Sequence, residues 1–108
     1  MNPYRGTPGE VIDPIKIDVY RGGTDLTVRP GDVKVDRQTG LVQTTHGLSL
    51  DTDPAGLGRF GAAHRVASVP DELQIVQRGQ RKTHFELVPK LPMTIDRFQE
   101  LVSQIVLE

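Results

Sequence analysis

Apolar and polar residues alternate over Ile15-Lys16-Ile17-Asp18-Val19-Tyr20, as they do in a half-buried strand, and the run stops at Arg21-Gly22-Gly23. If the strand reaches Arg21, then Ile15, Ile17, Val19 and Arg21 share a face, and an arginine turns inward at the strand's end. A second short alternation, Val33 and Val35 against Lys34 and Asp36, lies between the turn signals Arg29-Pro30-Gly31-Asp32 and Arg37-Gln38-Thr39-Gly40. Leu41-Val42 and Gly47-Leu48-Ser49-Leu50 read as strand fragments around Thr44-Thr45-His46. Residues 51–63, rich in Asp, Gly and Ala, read as a mobile loop, with a short helical turn opened by Asp53 and Pro54 as the alternative. Three later strands are expected over 64–69, 73–77 and 83–89, the last two forming a hairpin with a basic tip.

The period changes after Pro92. Ile95, Phe98, Leu101, Val102 and Ile105 recur at helical spacing, with Arg97, Gln99, Glu100, Ser103 and Gln104 on the polar side. This predicts an amphipathic helix over 94–106, with Thr94 as N-cap and Asp96 in the first turn, favouring the positive dipole end. The expected class is therefore α+β: mainly antiparallel β, as two small packed sheets or a half-barrel, with one C-terminal helix. Pro3, Gly6, Pro8, Gly9 and Pro14 make residues 1–14 an irregular lead-in and leave 15–108 as a single domain.

Composition narrows the chemistry. A length of 108 residues suits one domain, and 36% hydrophobic content implies a modest core. The formal net charge of -1 carries no basic footprint for nucleic acid. No apolar run approaches the ~18 residues of a membrane span, and the N-terminus lacks the apolar core of a signal peptide. Cysteine is absent, which excludes disulfides, thiol nucleophiles and thiolate metal sites.

Among the candidate residues Arg21 comes first. A guanidinium on an inward face needs an internal carboxylate or an anionic ligand, and its planar fork matches phosphate. Spacing alone favours the plainer reading, an exposed arginine at a strand's end. His46, His64 and His84 share no metal-ligand spacing and read as scattered single histidines, so no metal is expected. His84 and Glu86 alternate onto one strand face, where they either act together or form a solvated edge. Ser49 and Ser68 lack a nucleophile elbow, and there is no phosphate-binding glycine loop.

Val19-Tyr20-Arg21-Gly22-Gly23 resembles the first signature of ADP-ribosyltransferases, in which a strand-end arginine binds the NAD phosphates or the adjoining ribose. Thr83-His84-Phe85-Glu86-Leu87-Val88-Pro89-Lys90-Leu91-Pro92-Met93, followed by a helix, is similar to the tail of a bacterial toxin family that includes type VI secretion effectors. Pro70 with Leu73-Gln74-Ile75-Val76-Gln77 looks like that family's Pro-x-x-Leu-x-(Val/Ile)-x-Gln strand, and Gly47-Leu48-Ser49-Leu50 like its middle strand. The resemblance covers about residues 15–105, and this chain is shorter than a typical member between Leu50 and Val69.

The resemblance implies a toxin domain that transfers ADP-ribose from NAD to a target or hydrolyses NAD. Arg21 would hold the pyrophosphate. Glu86 would bond the ribose and stabilise the oxocarbenium-like state. Thr45, His46, Ser49 and His84 would contact the rest of the dinucleotide. It also implies a bacterial protein, cytoplasmic or exported without a cleaved signal, with a cognate immunity or antitoxin protein as partner. The rival readings are a non-enzymatic protein-interaction module and a degenerate domain of the same fold that binds a nucleotide or nothing.

Overall fold

A computed structural model describes residues 2–108; Met1, part of the expected lead-in, lies outside them. Among the described residues the strands are β1 (Val11–Ile12), β2 (Tyr20–Gly22), β3 (Leu48–Asp51), β4 (Ala63–Ser68), β5 (Leu73–Gln77), β6 (His84–Pro89) and β7 (Val106–Leu107). One α-helix, α1 (Ile95–Val102), precedes β7. The chain is thus mainly antiparallel β with one helix near its C-terminus. The strands pair in a single order, β1-β5-β6-β3-β2-β4-β7, and the sheet curls as a half-barrel. A division into two packed sheets is not seen in this pairing.

The best-patterned segments form the centre. In β5, Leu73, Ile75 and Gln77 are buried while Gln74 and Val76 are half-buried, the alternation of a strand with one core face. Gln77 is an interior amide whose Nε2 donates to the carbonyls of Gly79 and Arg81, at 3.0 and 3.2 Å, so it ties down the hairpin tip. β6 pairs with β5 from Leu73↔Pro89 to Gln77↔Phe85, and with β3 through Leu48↔Leu87 and Leu50↔Phe85. Those leucines and Phe85 join Phe98, Leu101 and Val102 of α1 in one buried cluster. The pairs between them, Ser49↔Glu86 and Asp51↔His84, take the opposite face.

Other expectations are corrected. The strand drawn over 15–20 is not one element. Asp13 accepts from the Ile15 N–H through its side chain, at 2.9 Å, and from the N–H groups of Lys16 and Ile17 through its carbonyl. That turn throws Ile15 outward to 81% exposure, and pairing begins only at Tyr20. Residues ahead of it are woven in: β1 pairs with β5, Gly9 N–H donates to the Gln77 carbonyl, and Gly6 N–H to that of Lys82. The Val33–Asp36 and Leu41–Val42 segments make only isolated bridges, Val35↔Val42 and Val42↔Met93.

Residues 54–60 are not a loop but a 3-10 helix, Pro54–Phe60, because Asp53 caps the Ala55 N–H at 3.0 Å with Pro54 at the first position. The helix α1 starts where Thr94 accepts from the Arg97 N–H, but it ends at Val102 instead of 106. Gln104 and Ile105 close onto Leu101 and Val102 in a tight turn, which keeps Ile105 buried and delivers β7 to the edge of β4.

Candidate functional site: a depression at the end of β2

β2 is flanked by β4 and, through the single pair Tyr20↔Asp51, by β3. Val19 is fully buried, so alternation sets Arg21 on the inward side and Tyr20 on the other. Arg21 stops short of the core, where β2 parts from β3. There it is half-buried, and its guanidinium bridges two stretches of backbone. Nε and Nη2 donate to the Asp25 carbonyl at 3.3 and 3.0 Å, and Nη1 to the Ser49 carbonyl at 2.9 Å. These bonds do not exhaust the N–H donors of a guanidinium. Burial pulls the Arg21 guanidinium below its usual value, while the negative charges of Asp32 and Asp25 push it back up.

The backbone then turns sharply. Gly23 has a φ of 76° and donates to the Ala62 carbonyl at 2.9 Å, and Gly61 opposite has a φ of 105°. Both backbone conformations favour glycine, and neither residue puts a side chain into the space between them. The result is an open depression of about 700 Å³ lined by Arg21, Gly22–Asp25, Arg29, Asp32, Ser49, Leu57, Gly61, Ala62 and His64.

Its far wall is held from outside. Gln99 on α1 accepts from the Val28 N–H at 2.7 Å and donates to the Leu26 carbonyl at 3.1 Å, fixing the segment that carries Asp25. Asp25 pairs with Arg29 at 2.8 Å; that bond, with those from Thr27, holds its carboxyl well below the usual range. Asp32 accepts from the Arg29 N–H at 2.9 Å. Two arginines thus face two aspartates, and the lining charges cancel.

The sequence-expected residues divide. Arg21 and Ser49 line this depression, Ser49 offering its carbonyl to Arg21. Thr45 and His46 bond each other at 2.8 Å in the exposed turn before β3 and are not part of the lining. His84 and Glu86 are not part of it either, because the register sets them on the face opposite Arg21. Glu86 is almost fully buried. It accepts from the Gly47 N–H at 3.1 Å, from Arg78 Nε at 3.0 Å, and from His84 Nε2 at 2.9 Å, which must carry the proton to donate to a carboxylate. Burial alone would raise its pKa; the bonds from His84, Arg78 and Gly47 outweigh burial and hold the carboxyl down to about 2. A few residues away, Arg81 caps the buried Asp51 in the same manner.

His64, Arg29, Asp25 and Asp32 were missed as site residues. The only local signal was the Arg29-Pro30-Gly31-Asp32 turn. The pairing Arg21↔His64 joins distant strands and leaves no mark in either segment. Among the described residues no cluster of three or more His, Cys, Asp or Glu side chains is arranged to hold a metal ion, and no helix is long and apolar enough to cross a membrane. Comparison with protein-family models, curated proteins and solved structures returns no match for this chain.

Proposed function

We propose that the chain is a small ADP-ribosyltransferase-like domain of the bacterial toxin type that binds the pyrophosphate of NAD in the Arg21 depression. One observation carries this reading. Arg21 is a half-buried cation at the end of β2, anchored by backbone carbonyls instead of a carboxylate, with N–H donors left over beside a glycine-walled space. Arg78, although more exposed than Arg21, is closed by an acid, Glu86. About 700 Å³ is within the range of ligand sites of roughly 300–1,000 Å³. A lining with as many aspartates as arginines suits a ligand that carries both signs, as NAD does with its pyrophosphate and pyridinium.

Cleavage of the nicotinamide–ribose bond asks for a group that stabilises positive charge at the ribose. Glu86, the residue expected for this, is saturated by its own partners on the opposite face. Asp25 and Asp32 are the carboxylates of the depression. The depression thus offers the groups for binding NAD, and transfer or hydrolysis would fall to these aspartates. The two parts separate experimentally. Nicotinamide release by the purified protein reports cleavage. Growth arrest on expression, relieved by Arg21→Ala and by co-expression of a cognate immunity protein, reports the toxin role. Wild-type protein that releases no nicotinamide and leaves growth unchanged would reduce the reading to nucleotide binding alone.

A further inference from the structure

The depression holds one side chain with chemistry that nothing in the fold employs. His64 is the direct antiparallel partner of Arg21, so the two side chains leave the sheet on the same face, with Cβ atoms about 5 Å apart by ladder geometry. It lines the same space and is half-buried. Each of the other two histidines has a hydrogen bond, His46 with Thr45 and His84 with Glu86, whereas His64 has none among the described residues. A half-buried imidazole that lines the depression and spends no hydrogen bond elsewhere has a donor to offer even when neutral.

We infer that His64 is a second ligand-contact residue, which with Arg21 grips adjacent phosphates of a diphosphate group. The inference rests on the proposed use of the depression and names its ligand class more closely. Arg21 is fixed at the rear by the Asp25 and Ser49 carbonyls, so its free N–H groups point along limited directions. One such guanidinium serves one phosphate. A second donor that starts about 5 Å away on the paired strand is within reach of the oxygens of an adjacent phosphate. Leu57 and Ala62 line the space beside them, which leaves room for the apolar face of a nucleoside. The ligand class is thus a nucleoside diphosphate or its ester, with a single phosphate as the weak competitor.

The experiment is a titration of the folded chain with ADP, inorganic pyrophosphate and inorganic phosphate, followed by the His64 ring resonances in NMR and by calorimetry. His64 ring signals should shift on saturation with ADP or pyrophosphate, while those of His46 and His84 stay in place. ADP should bind at least tenfold more tightly than phosphate. His64→Ala should weaken ADP by about tenfold, and His64→Gln, which keeps an N–H donor, should recover part of that loss. Loss of ADP binding in Arg21→Ala, with unmoved His64 signals and an unaffected His64→Ala, would overturn the role of His64 and leave the depression standing. Absence of binding for all three anions, or equal binding in Arg21→Ala, would remove the site itself and His64 with it.

Discussion

Arg21 and Arg78 are both half-exposed arginines at the ends of strands, yet they sit in opposite situations. Arg78 meets Glu86, which also receives His84 and the Gly47 N–H, so that cluster is complete without a ligand. Arg21 donates hydrogen bonds only to carbonyl oxygens and keeps donors beside a space that glycines leave open. The sequence gives both regions the same residue types: Arg, His, an acid and a glycine. What separates structure from candidate function is whether each polar group has found its partner inside the chain. Burial of an acid is tolerable only when its bonds are made, and Glu86 shows that case; a cation held open at a cleft is the other.

The predictions that would break this contrast begin at Gly47. A Cβ there would collide with the Leu87 carbonyl oxygen, so Gly47→Ala must push β3 from β6 and displace the N–H that serves Glu86. It should cost more than about 3 kcal/mol of stability, read as a large fall in the denaturant midpoint. Glu86→Gln comes next. It leaves Arg78 and His84 without their acid and should cost about 2–3 kcal/mol while NAD affinity stays the same. If it instead abolishes nicotinamide release with the midpoint unchanged, Glu86 belongs to catalysis and the contrast fails.

The same carboxyl sets an acid limb. Its folded value, about 2, lies below its ordinary 4.5, so the unfolded chain binds the proton more readily and stability rises with pH across that window. The contribution is complete above about pH 4.5 and disappears as pH falls towards 2; it amounts to roughly 3 kcal/mol. Urea unfolding at pH 6 and pH 3 should show about two thirds of this loss, roughly 2 kcal/mol, and Glu86→Gln should flatten it.

Smaller effects sharpen the other region. Gln99→Ala frees the segment around Leu26 and Val28 and should cost about 1–2 kcal/mol, with NAD binding weakened because Asp25 no longer holds Arg21 in place. Arg29→Ala removes an exposed pair with Asp25 and should leave the unfolding midpoint almost unchanged, while calorimetry shows a several-fold weaker NAD.

How far the sequence foretold this depends on whether a feature is local. β5 runs from Leu73 to Gln77, as expected, because its alternation is bounded by turns on both sides. Thr94 caps α1 as its residue type suggests. Ile15 misled because the Asp13 turn produces apolar spacing without a strand, a competition between side-chain and ladder hydrogen bonds that alternation does not reveal. The helix was overrun at its end because Ile105 is buried from a turn, at a position where a helix would also have buried it. At the site, the inward parity of Arg21 was readable from Val19. That Glu86 lies across the sheet and His64 beside Arg21 follows from register between distant strands, which no single segment encodes.

The central claim is that Arg21 is a ligand-binding arginine and not a strut. Calorimetric titration of NAD into the wild type and Arg21→Ala, with the unfolding midpoint of each measured alongside, tests it most directly. Losing three bonds to carbonyls should cost Arg21→Ala about 1–2 kcal/mol and leave it folded at the temperature of the titration. The wild type should bind NAD, and the folded variant should bind it at least tenfold more weakly or not at all. Equal affinity in the two proteins, or a folded wild type that takes up no NAD, would contradict the claim.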